Sequence, residues 1–113
     1  MKLLTRHEEH VLLSILHLKN NAYLVTIKEF LEDQTSKELS FGTLYVSLKR
    51  LEKMGYVRHH VGEATSRRGG KAIMYYSVTK AGVRALEKTR EVQESLWNGF
   101  SRLATKAVGT HES

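Results

Sequence analysis

Between Ser40 and Gly55, leucines recur at positions 44, 48 and 51 as one i, i+4, i+7 stripe, and the helical period stops abruptly after them. Ser40 is placed to cap the start of this segment and Gly55 to end it at C′, so a helix is predicted over about Phe41 to Met54. The next segments have a different character. Tyr56 to Val61 and Ile73 to Val78 are rich in Tyr, Val and Ile and read as two strands. The stretch between them, Gly62 to Ala72, is too long for a tight hairpin turn and carries a Gly pair and an Arg pair. A leucine-faced helix that runs straight into a long-looped hairpin admits few architectures.

Two further helices precede it. Thr5-Arg6-His7-Glu8 is a capping box, and Val11, Leu12, Ile15, Leu16 and Leu18 follow at helical spacing, predicting a helix over about Arg6 to Leu18. Tyr23-Leu24-Val25 reads as a small edge strand. Thr26-Ile27-Lys28-Glu29 is a second capping box, with Ile27, Phe30, Leu31 and Gln34 on one face of a helix to about Thr35. Three helices and a hairpin give a mainly α fold with a small β-hairpin (α+β), a winged helix-turn-helix. In that architecture the second helix of the pair enters the major groove and the wing meets backbone or minor groove. Winged helices also serve as protein–protein interaction modules.

The remainder is one long pattern. Thr79 can cap a final helix running to about Val108, with Val83, Leu86, Arg90, Gln93, Trp97, Phe100, Ala104 and Ala107 at alternating spacings of three and four. Leu96 and Leu103 widen this stripe. Such a helix spans roughly 40 Å at 1.5 Å per residue, more than so small a domain covers by itself. The seam, with Val83, Leu86, Leu96, Trp97, Phe100, Leu103 and Ala104 as its interface, is therefore expected to pair with a second copy as a homodimer. Residues 1–78 read as the DNA-binding winged helix-turn-helix and 79–113 as a dimerisation helix and tail.

Charge locates the surface. The chain carries 18 Lys+Arg against 12 Asp+Glu, a net +6, but Lys49 to Arg84 alone holds nine basic residues against Glu52 and Glu63. That stretch is +7 and the rest −1, the footprint of a nucleic-acid binder. On the predicted helix the face opposite the leucines carries Gly42, Val46, Lys49, Arg50 and Lys53, with Tyr45 on the flank. Lys49, Arg50 and Lys53 are suited to phosphates or guanine edges. Ser40, Thr43 and Ser47 add hydroxyls. On the loop, Arg67, Arg68 and Lys71 form a second set of DNA contacts. A solvated basic face is the plain alternative for both sets. A sequence-insensitive nucleic-acid binder is the alternative for the whole chain.

Other classes fare poorly. The chain lacks Cys, which excludes disulfides, thiolate metal sites and a Cys nucleophile. It has no G-x-S-x-G elbow, no P-loop and no paired carboxylate constellation, so catalysis is not expected. His10 and His17 lie about 10.5 Å apart along a helix axis, too far to share an ion. No metal or cofactor is expected. No apolar run reaches the roughly 18 residues of a membrane span, and Met1 to His7 lacks the apolar stretch of a signal peptide. A cytoplasmic protein with no membrane partner is the expectation.

Leu39 to Val57, which includes Gly42-Thr43-Leu44-Tyr45 and Lys49-Arg50-Leu51-Glu52, closely resembles the recognition-helix signature of the PadR family of bacterial transcriptional regulators. Arg68-Gly69-Gly70-Lys71, Tyr75-Tyr76 and Thr79-Lys80-Ala81-Gly82 resemble its wing signature, and Asn21-Ala22-Tyr23 its stretch before the second helix. The likeness covers about residues 5 to 86. It implies a homodimeric repressor that binds a double-stranded DNA operator, of the short type with a single C-terminal helix. In some small relatives an aromatic residue at the place of Trp97, one turn from Phe100, lines a pore that takes a flat hydrophobic or aromatic effector. Plain packing of Trp97 in the dimer is the other reading. The chain departs from many relatives in having no Pro in the wing and Ala72-Ile73-Met74 in place of a basic run.

Overall fold

The computed structural model describes residues 2–62 and 72–109. Helix α1 (Arg6–Leu18) begins on the predicted capping box: the Glu8 amide donates to the Thr5 hydroxyl at 3.1 Å and the Thr5 amide to Glu8 Oε1 at 2.8 Å. Its apolar face buries Val11, Leu12 and Ile15. A 3₁₀ turn (Lys19–Asn21) leads to α2 (Leu24–Thr35). This helix starts earlier than the Thr26–Glu29 box implies. Extended Tyr23 is the cap, and Thr26 acts from inside the first turn, its hydroxyl accepting from the Tyr23 amide at 3.0 Å. The edge-strand reading of residues 23–25 survives only as a bridge from Tyr23 to Tyr75, reinforced by the Tyr76 amide donating to the Ala22 carbonyl at 2.8 Å.

Helix α3 (Phe41–Lys53) is capped by Ser40, whose hydroxyl accepts from the Thr43 amide at 3.0 Å, and is followed by Gly55 at φ 82°. Leu44, Leu48 and Leu51 are fully buried, meeting Val11, Leu12, Ile15 and Ile27 in one core with Val57 and Tyr76. Strands β1 (Val57–Val61) and β2 (Met74–Val78) pair antiparallel from Val57↔Val78 to Val61↔Met74.

Thr79 ties three elements together. Its hydroxyl donates to the Gly55 carbonyl at 2.6 Å and accepts from the Gly82 amide at 3.1 Å, while its own amide donates to the Tyr56 carbonyl at 3.0 Å. Gly82 is needed there, because a Cβ would stand 2.4 Å from the Tyr56 carbonyl oxygen. Helix α4 (Lys80–Trp97) then adds Ala85 and Leu86 to the core. The Leu4 amide donates to Thr89 Oγ1 at 3.4 Å, and Gln93 Nε2 donates to the buried Glu9 carboxylate at 3.1 Å. Gln93, a polar position of the predicted seam, therefore serves the chain's own α1.

The continuous final helix is corrected by the structure. Asn98 leaves helical geometry at ψ 125° and Gly99 enters the left-handed region at φ 74°, which a glycine adopts without a Cβ penalty. A separate helix, α5 (Phe100–Val108), follows. Neither the end of α4 beyond Thr89 nor α5 has a fully buried residue. The molecule is accordingly elongated, 66 × 32 × 21 Å.

Candidate nucleic-acid interface

A helix with three buried leucines on one side must turn its other side outward, and α3 does so along Gly42, Val46, Lys49 and Lys53, all exposed. Tyr45 and Arg50 flank this stripe. Lys49 Nζ sits 5.8 Å from the centroid of the Tyr45 ring, so the ammonium and the aromatic face steady each other without leaving the surface. At the helix start Ser40 is occupied with capping and also donates to Thr43 Oγ1 at 2.8 Å, leaving both hydroxyls exposed.

Ser47 is placed elsewhere than expected. It is only 8% exposed and its hydroxyl donates to the Thr43 carbonyl at 3.0 Å. A hydroxyl has one proton to give. His7 Nε2, 2.7 Å from Ser47 Oγ, must therefore be the donor of the second bond. Ser47 thus fastens α3 to α1 and is not offered outward. Burial, then the neighbouring His10, hold the His7 imidazole below its ordinary pKa.

The turn before α3 is anchored by Glu32, absent from the sequence-derived set. Its carboxylate accepts from the Leu39 amide at 2.7 Å and from Lys28 Nζ at 2.9 Å. The backbone bond first, and Lys28 second, keep it ionised to lower pH than an ordinary glutamate. Lys28 Nζ in turn lies 5.2 Å from the centre of the Phe41 ring, the first residue of α3. The i, i+4 spacing of Lys28 and Glu32 was visible in sequence, but their grip on Leu39 and Phe41 was not.

The hairpin leans on the same helix. His59 Nδ1 pairs with Glu52 Oε2 of α3, and His60 stacks on Tyr75 with centroids 5.6 Å apart. Arg58 on β1 and Lys80 and Arg84 on α4 are exposed. Arg67, Arg68 and Lys71 lie outside the described residues. Of the expected dimer positions, Leu86 is in the chain's own core, Ala104 is half-buried, and Val83, Leu96, Trp97, Phe100 and Leu103 are exposed, Leu96 at 76% and Trp97 at 61%. The Trp97 and Phe100 rings lie 4.7 Å apart. No described helix is long and apolar enough to cross a membrane.

The sequence profile of the PadR-like transcriptional regulator family matches residues 12–88. This chain belongs to that family. It is thereby a DNA-binding transcription regulator of winged-helix fold. A PadR-like transcription factor from Bacteroides fragilis superposes with a TM-score of 0.71 at 24% identity, over 86% of this chain and 88% of that one. A PadR-like regulator from Bacillus cereus does so at 0.68 and 19%, over 93% of each chain. A PadR family regulator from Clostridium difficile gives 0.61 at 25% identity, over 91% of this chain and 99% of that one. Among curated proteins the chain has no significant match.

Proposed function

We propose that two copies of this PadR-like chain bind a roughly palindromic operator in double-stranded DNA and repress transcription there by blocking polymerase. Residues 1–78 carry the reading surface and 79–113 the assembly arm, the first turns of α4 being packed against the reading head. Tyr45, Lys49, Arg50 and Lys53 make the central contacts, Ser40 and Thr43 contact the DNA at the helix start, and Arg67, Arg68 and Lys71 brace the backbone. The observation that carries this reading is the outward face of α3, cationic and aromatic, backed by three fully buried leucines.

The homodimer is supported by the exposure of Val83, Leu96, Trp97, Phe100 and Leu103, apolar side chains that one copy leaves uncovered. The exposed Trp97–Phe100 ring pair is where a small hydrophobic or aromatic effector stacks to relieve repression. An operator in the genome sets the protein's place in the cytoplasm.

Selection from a random DNA pool tests the reading. The expected winner is a palindrome with half-sites ~34–36 Å apart, one helical turn. Lys49→Ala and Arg50→Ala each weaken its binding by ~1–3 kcal/mol where they meet bases. Alanine at Arg67, Arg68 and Lys71 together lowers the salt slope by ~0.9 per lost phosphate contact. A steep salt slope with no enriched sequence would mean a nonspecific binder. Binding to protein partners but not to DNA would mean an interaction module.

A further inference from the structure

We infer that the first half of α3 reads thymine: Val46 rests against the C5-methyl of a thymine in the major groove, and Gly42 lets the helix come close enough to do so. The inference rests on α3 being the helix that enters the groove. The outward stripe of α3 has two unlike halves. Lys49 and Lys53 lie toward its end, whereas Gly42 and Val46, one turn apart, lie toward its start. Val46 is 54% exposed, and the neighbouring Tyr45 is exposed beside it.

The fold does not call for either residue. A β-branched side chain on an open helix surface loses rotamer freedom, and Val46 is not part of the core. Gly42 is more telling. It has ordinary helical backbone geometry, and a Cβ built on it meets nothing within 4 Å. Glycine is the poorest helix former after proline. Gly82, whose missing Cβ makes room for a backbone carbonyl, has its reason inside the chain. A glycine with no such reason, on a surface turned to a ligand, is fitted to close approach by that ligand.

The donors available then decide what is read. Arg or Lys forks guanine, Asn or Gln forks adenine, and an apolar group meets the thymine methyl. From Phe41 to Val46 the chain has no Arg, Lys, Asn or Gln to fork a purine, and the Thr43 hydroxyl, which accepts from Ser40, keeps a single proton to give. An apolar contact to thymine is what the outward pair Gly42 and Val46 can make, with guanine edges and phosphates falling to Lys49, Arg50 and Lys53.

Replacing each thymine of the selected operator by deoxyuridine removes one methyl and leaves pairing and O4 intact. At one position per half-site, the wild-type protein is expected to lose about three- to fivefold in affinity, the worth of one buried methyl group. Val46→Ala loses a similar factor on the thymine operator and is indifferent to the uracil one. Gly42→Ala is expected to raise the melting temperature by roughly 3–6 °C while weakening operator binding, opposite signs that a structural role would not give. Specific operator binding that is unchanged by uracil at every position overturns the thymine contact. Unchanged binding by Gly42→Ala overturns the close approach. Failure of the wild type to select any sequence overturns instead the reading on which both rest.

Discussion

The winged-helix body and the outer arm both carry leucine and aromatic side chains, yet they settle them differently. In the body, Leu44, Leu48, Leu51, Leu12, Ile15 and Ile27 vanish into one core. In the arm, Leu96, Trp97, Phe100 and Leu103 remain in water. A chain of 113 residues has enough helix and hairpin to bury the first set, and its arm leaves the body after Gln93 bonds Glu9. The difference separates what folding of one copy requires from what the proposed pairing of two copies would cover.

Substitutions can pull the two regions apart. The largest effect is expected in the core: Leu48→Ala should lower folding stability by ~2–5 kcal/mol, seen as an early thermal transition accompanied by loss of DNA binding. Trp97→Ala should leave the body's unfolding at high dilution unchanged but weaken self-association by ~2 kcal/mol, as measured by sedimentation over a concentration series. Equal melting of both variants at all concentrations would erase the distinction. Gly99→Ala disfavours the left-handed turn by ~1–2 kcal/mol and favours helix across the break. Helical circular dichroism should rise and the preferred operator spacer should change.

Smaller effects follow at the helix ends. Ser36 holds φ 58° at the end of α2, so Ser36→Gly should stabilise the body by ~0.5–1 kcal/mol in a denaturant titration. Two titrations give the pH dependence. The lowered His7 pKa means the unfolded chain takes up the proton first as pH falls below 6.5. That contribution is complete above the unfolded value and lost as pH falls through the folded one, so His7→Asn should flatten the melting profile there. Glu32, with its folded pKa below 4.5, behaves the same way in a more acid window, and Glu32→Gln should flatten that part.

Most elements were legible in sequence because their signals are local. The Thr5–Glu8 box, the Ser40 cap with Gly55, and the alternation of Tyr and Val each act within a few residues. The start of α2 misled because Thr26 followed by Glu29 has the spacing of a box, while the hydroxyl in fact turns back to Tyr23. The break at Asn98–Gly99 was hidden by an apolar period that runs through it on both sides. In the interface, helical periodicity located the outward face of α3. It did not place Ser47, whose partner His7 is 40 residues away, nor Glu32, whose hold on Leu39 exists only once the turn has formed. Attention to cations also passed over Gly42 and Val46, although the same periodicity set them on that face.

Thr79 brings Gly55 and Tyr56, the link between α3 and β1, and the start of α4 within reach of one residue. The consequence is mechanical. With that knot closed, the link that follows α3 is hydrogen-bonded to the start of α4 and not free to swing away from it. At the Asn98–Gly99 break the start of α5 has no such side-chain cap. The two ends of the arm are therefore held differently, the inner one tied to the body and the outer one left without a buried residue.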